Sequence, residues 1–120
     1  MPNMIYCEDN SEHIEMFKKN FCGEDSVLWG YTVTVCRTSG ELMSLVKRLR
    51  PDIVLTDIEL NDGTTGIEAA EELLSLSPRT QIIYVTSYTD KFIQDVFLSR
   101  ANVCGFLNKP IERSYFKKMV

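Results

Sequence analysis

Pro51-Asp52-Ile53-Val54-Leu55-Thr56-Asp57 opens with a helix-stopping proline, runs through β-branched and apolar residues, and ends on a carboxylate. That order predicts a short buried strand whose last side chain, Asp57, arrives at the carboxyl edge of a sheet. Open α/β sheets place their ligands outside this edge. What else the chain brings there decides the chemistry available.

Upstream, Met4-Ile5-Tyr6-Cys7 is an apolar run ending in Glu8-Asp9 and then Asn10-Ser11: a strand, an acidic strand end and an N-cap. A helix over about 11–22 follows, with Ile14, Phe17 and Phe21 on one face and His13 expected on the surface. Gly23 to Gly30 fits no regular element, and Trp29 within it reads as a packing anchor. Tyr31 to Cys36 alternates and is rich in β-formers, which predicts a second strand. Thr38-Ser39-Gly40-Glu41 has capping-box spacing and opens a second helix, with Leu42, Leu45, Val46 and Leu49 facing inward.

Downstream of Asp57, Asn61-Asp62-Gly63-Thr64 is a turn, and Thr65-Gly66-Ile67-Glu68 is a second capping box opening a helix to about Leu76. Gln81 to Thr86 is a fourth strand, and Asp90 caps a helix with Phe92, Ile93, Val96 and Phe97 as its apolar stripe. Val103 to Leu107 is a fifth strand, Asn108-Lys109-Pro110 its exit, and a last helix starts near Glu112. Five β–α repeats with right-handed crossovers make an α/β fold: a (βα)5 three-layer sandwich around a parallel five-stranded sheet.

At 120 residues this is one domain with room for a continuous core. Thirteen basic residues against 17 acidic ones, net −4, argue against nucleic-acid binding by the domain itself. Lys47-Arg48 with Arg50, and Lys117-Lys118, are expected to be solvated helix surface. Cys7, Cys22, Cys36 and Cys104 lack the paired spacing of a zinc or redox site; Cys7, Cys36 and Cys104 fall in or beside predicted strands, so reduced, buried thiols there and a cytoplasmic location are expected. No apolar run approaches the length of a membrane span, and no membrane partner is expected.

Four strands leave polar residues at their carboxyl ends: Glu8-Asp9, Asp57, Thr86 and Lys109, while the second contributes nothing comparable. If the sheet is wound 2-1-3-4-5, the first and third strands lie side by side and Glu8, Asp9 and Asp57 would share one pocket. Two like charges a few Å apart cost about 3–4 kcal/mol at an effective dielectric near 20. A cation relieves this, and oxygen donors of this kind suit Mg²⁺. Lys109 adds a positive charge and Thr86 a neutral donor. These are the parts for phosphoryl transfer to a carboxylate, with Asp57 as nucleophile.

On Glu8-Asp9, Asp57, Thr86 and Lys109-Pro110, each in register with its strand, the whole chain resembles a receiver domain of a two-component response regulator. The resemblance implies a flavodoxin-like fold with strand order 2-1-3-4-5 and Mg²⁺-dependent phosphorylation of Asp57 by a sensor histidine kinase. It also implies direct metal binding by Asp9 and Asp57, a main-chain carbonyl ligand from Glu59, Glu8 acting through water, and Lys109 on the phosphoryl group. The Lys109–Pro110 bond would be cis. "IYCEDN", "PDIVLTDIEL" and "NKPI" further resemble the LytTR-type subgroup, whose output domains bind DNA. An output domain outside residues 1–120 is therefore expected, with DNA contacted only through it.

Several positions depart from the common pattern, among them the long stretch 23–30 between the first helix and the second strand. The turn Asn61 to Gly66 lacks the usual proline, and Phe106 stands at the switch position where Tyr is frequent. Thr86 and Phe106 are expected to move together on phosphorylation and to alter the face formed by the fourth helix, fifth strand and fifth helix, through which the domain would dimerise. The chain is read as a signalling module and not as an enzyme. The alternative is a pseudo-receiver, a protein-interaction module that is never phosphorylated. A dehalogenase-like phosphatase, echoed by Asp62-Gly63-Thr64, would need its nucleophile at Leu60, which cannot attack.

Overall fold

Five strands form one parallel sheet in the order β2-β1-β3-β4-β5. They are β1 (Asn3–Cys7), β2 (Thr32–Cys36), β3 (Ile53–Asp57), β4 (Gln81–Thr86) and β5 (Val103–Asn108), with helices α1 (Ser11–Phe21) and α2 (Ser39–Leu49) in the first two crossovers. The computed structural model describes residues 2–23, 28, 30–57, 72–73, 75–77, 79–86, 103–108, 111 and 116–117, without the side chains of 57, 86, 103–106 and 108. The strand order and parallel sense are those the sequence predicts.

The inner strands β1, β3 and β4 are buried on both faces because their residues alternate between two cores. Ile5, Cys7, Val54, Ile82 and Tyr84 pack with Leu42, Met43 and Val46 of α2 and with Leu73. Met4, Tyr6, Ile53, Leu55, Ile83 and Val85 pack with Ile14, Phe17 and Phe21 of α1 and with Phe116. Phe17 organises the second core: its ring stacks on Tyr6 at 4.0 Å and lies 5.5 Å from Phe21 and 6.0 Å from Phe116. Each such aromatic pair adds about 0.5–1.5 kcal/mol beyond the area it buries.

Both helices start where their caps are. The Asn10 side chain accepts from the N–H groups of Glu12 and His13, and Thr38 accepts from Glu41 N–H at 3.1 Å. α2 ends at Leu49, with Arg50 in the left-handed region (φ 44°) and its N–H on the Val46 carbonyl, just ahead of Pro51. The inward face of α2 is broader than the leucine–valine stripe predicts, since Met43 is buried while Leu45 and Leu49 are only partly covered. Tyr31 stays outside β2 because its N–H bonds the Leu28 carbonyl.

Residues 72–73 and 75–76 are helical, in keeping with a helix reaching about Leu76, as are Phe116 and Lys117 near the end of the chain. The start of the former helix, the turn at 61–66, Trp29, the helix after Asp90 and the Lys109–Pro110 bond lie outside the described residues. Among the described residues no helix is long and apolar enough to cross a membrane. Cys7 and Cys36 are buried and reduced, whereas Cys22, at the end of α1, is only half-buried.

Candidate functional site

β1 lies between β2 and β3, so the winding direction reverses between β1 and β3 and opens a crevice beyond their carboxyl ends. The register sets what meets there. Cys7 pairs with Thr56, so the next residues along the two strands, Glu8 and Asp57, leave the sheet at the same level. Asp57 pairs with Val85, which puts Thr86 one residue further along β4, and Thr86 pairs with Asn108, the residue before Lys109. Four segments far apart in sequence thus converge on one edge. The backbone of Asp57, Thr86 and Phe106 is described; their side chains, and Glu59 and Lys109 entirely, lie outside the described residues.

Glu8 is 1% exposed, an ionisable side chain enclosed at the end of β1. Its N–H donates to the Cys36 carbonyl at 3.0 Å, carrying the β1–β2 pairing one residue past the strand. Its carboxylate is held from both sides: Oε2 accepts from Asp9 N–H at 3.2 Å, and Oε1 lies 2.5 Å from Nδ1 of His13. An ionised carboxylate only accepts, so the imidazole presents Nδ1–H to it. Asp9 is partly buried beside it. Among the described residues, no buried side-chain polar atom lacks a hydrogen-bond partner.

Two of these placements differ from the sequence reading. His13 is 43% exposed but is no free surface residue, because its ring is committed to Glu8. The second strand also contributes to the edge after all. Arg37, immediately after β2, reaches Ser11 Oγ with Nη2 at 2.5 Å and the Asp9 carbonyl with Nη1 at 3.5 Å. The shorter contact anchors the guanidinium at the start of α1, and the longer one is weak.

A signal for His13 was available. Tyr6 and Glu8 are two apart on a strand, and Phe17 and His13 are four apart on a helix. Two strand residues advance about 6.6 Å and one helical turn about 5.4 Å, so a helix running back along its strand that stacks Phe17 on Tyr6 brings His13 near Glu8. Arg37 had no comparable signal, since a long side chain after a strand can go anywhere.

Among the described residues no three metal-ligating side chains cluster; at this edge the acids whose side chains are described are Glu8 and Asp9. Their chemistry fits a hard cation: one enclosed and one partly buried carboxylate, level with a third acid in β3, with no thiolate among them.

The model of the response regulator receiver domain matches residues 5–120. The chain belongs to this family. Among curated relatives, the DNA-binding transcriptional activator DevR/DosR of Mycobacterium tuberculosis is 38% identical over 73 residues, 60% of this chain and 32% of that protein. The positive alginate biosynthesis regulatory protein of Pseudomonas aeruginosa is 32% identical over 71 residues, 59% of this chain and 27% of that protein. The chain thus spans about a third or less of the curated relatives it matches. Among solved structures, a response regulator receiver domain from Clostridium thermocellum superposes with a TM-score of 0.82 at 17% identity, covering 99% of this chain and 90% of that one. A CheY-like receiver domain from Methanospirillum hungatei gives 0.80 at 23% identity, covering 98% and 89%. The receiver's fold is therefore shared where little sequence is, and the chain is a receiver domain whose relatives regulate transcription. The names of these relatives do not speak to the LytTR-type subgroup.

Proposed function

We propose that this receiver takes a phosphoryl group onto Asp57 from a phosphohistidine of a sensor kinase and thereby switches an attached output domain. The observation that carries this is the β1–β3 register, which brings Glu8-Asp9 and Asp57 to one level at the switch point of the sheet. In the transfer a carboxylate oxygen of Asp57 bonds to phosphorus as the P–N bond to the kinase histidine breaks. The imidazole leaves with the electron pair and is protonated there. Asp57 attacks as an anion, so this chain needs no general base.

Asp9 and Asp57, with the Glu59 main-chain carbonyl and Glu8 acting through water, would hold Mg²⁺. The metal, when bound, supplies positive charge against the phosphoryl oxygens. Thr86 ends β4 and Lys109 comes next after β5, and their hydroxyl and ammonium would hold the remaining oxygens. The added charge would then draw Thr86 toward the phosphoryl group and free Phe106 to turn inward, reshaping the face around β5. That face would pair with a second receiver or meet the output domain. Relatives about three times longer than the matched stretch support such an output domain, and their names support transcription as its target.

The test is intact-protein mass after incubation with Mg²⁺ and acetyl phosphate or phosphoramidate. A single phosphoryl adduct that requires Mg²⁺ and disappears in Asp57→Asn is expected. A wild type with no adduct from either donor and no Mg²⁺ binding is a pseudo-receiver, and the reading is wrong.

A further inference from the structure

We propose that His13 is a positioning residue for Glu8, setting the plane of that carboxylate at the cation site; this rests on the receiver chemistry above. A glutamate side chain has three rotatable bonds, and Glu8 has to be held in one arrangement if a water bound to it is to meet an ion. Among the described contacts a donor meets each of its oxygens. Asp9 N–H is 3.2 Å from Oε2 and His13 Nδ1 is 2.5 Å from Oε1. Two donors at opposite ends of a carboxylate fix its plane as well as its position.

The His13 end is itself rigid. His13 lies in the first turn of α1, its N–H caps onto Asn10 Oδ1 at 3.1 Å, and one turn later Phe17 stacks on Tyr6 at 4.0 Å. The imidazole is therefore aimed by the packing of the helix on β1, two residues upstream of the carboxylate it holds. Glu8 is 1% exposed and His13 43%, so the carboxylate is the enclosed partner and the imidazole closes over it from the solvent side. A surface histidine with no role at the site would not need this contact. Partners of a metal's direct ligands change its affinity about 10–100-fold when removed, and His13, behind a carboxylate that acts through water, belongs at the low end of that range.

The experiment compares Mg²⁺ affinity, by calorimetric titration, in wild type, His13→Leu, His13→Asn and the same leucine change in a Glu8→Gln background. Urea unfolding of each variant shows that the fold is kept. His13→Leu removes the donor and is expected to weaken Mg²⁺ binding about tenfold. His13→Asn places an amide N–H where Nδ1 stood and is expected to restore most of that loss. In the Glu8→Gln background the leucine change should alter affinity by less than about twofold, because the two residues act through one contact. In metal-free wild type, ¹⁵N imidazole spectra should show His13 protonated on Nδ1, with that signature moving in Glu8→Gln.

An equal loss of affinity with and without Glu8, or His13→Leu binding Mg²⁺ as wild type does, overturns the role. A wild type that binds no Mg²⁺ and takes no phosphoryl group overturns the receiver chemistry first and this role with it.

Discussion

The two edges of the sheet use polar groups in opposite ways. At the amino edge they close the backbone. Asn3 N–H donates to Asp52 Oδ2 at 2.8 Å, Asp52 N–H to the Asn3 carbonyl at 3.0 Å, and Gln81 N–H to the Asp52 carbonyl at 2.9 Å. Buried Thr80 has its hydroxyl 2.8 Å from the Pro51 carbonyl and 2.7 Å from Ser77 Oγ. A carbonyl can only accept, so Thr80 donates to Pro51 and Ser77 donates to Thr80. At the carboxyl edge the enclosed group is the side chain of Glu8, with Asp9 beside it and Asp57 level with it, and its partners include an imidazole. One edge spends its polar groups on the fold, and the other gathers charge that the fold does not need.

If that contrast is right, substitutions at the two edges have separable effects. The largest is Asp57→Asn, which should abolish the phosphoryl adduct while leaving the unfolding midpoint in urea close to that of wild type. Next is Thr80→Val, which keeps the shape and removes the hydroxyl. It should cost about 1–3 kcal/mol in urea unfolding, since buried groups lose a partner, and leave Mg²⁺ affinity unchanged. A Thr80 variant with weakened Mg²⁺ binding and native stability would blur the distinction between the edges.

The smallest effect concerns the far end of α1 from His13. Burial pushes the Cys22 thiol pKa up, and Lys18 one turn back only partly offsets this. The folded protein therefore holds that proton to higher pH than the unfolded chain does. The pH at which Cys22 reacts half-maximally with iodoacetamide should be higher in native protein than in urea, and higher again in Lys18→Gln. Equal midpoints in native and unfolded protein would contradict the desolvation.

How much of this could be read from the sequence follows the same division. Strands and helix starts were legible because they are local: alternation in Tyr31 to Cys36, capping side chains at Asn10 and Thr38, and the spacing of Ile14, Phe17 and Phe21 all act within one element. The parallel sense followed from crossover handedness and the strand order from the family resemblance, while the level of Glu8 and Asp57 is set by the register of β1 on β3. Contacts between elements were harder. His13 meets Glu8 only because α1 has the rotation and height on β1 that the Tyr6–Phe17 stack imposes, and Met43 turns inward because the apolar face of α2 is wider than its leucine spacing suggests. Arg37 reaches Ser11 across the strand order, a distance no single-strand pattern encodes.

The measurement that goes most directly to the division between the edges is a Mg²⁺ titration followed by amide chemical shifts. Large shifts should be confined to the carboxyl edge, at Glu8, Asp9, Asp57 and their sequence neighbours, with Asn3, Asp52 and Thr80 unmoved. Shifts of equal size at both edges, or saturating shifts at Asp52 with none at Asp57, would contradict it.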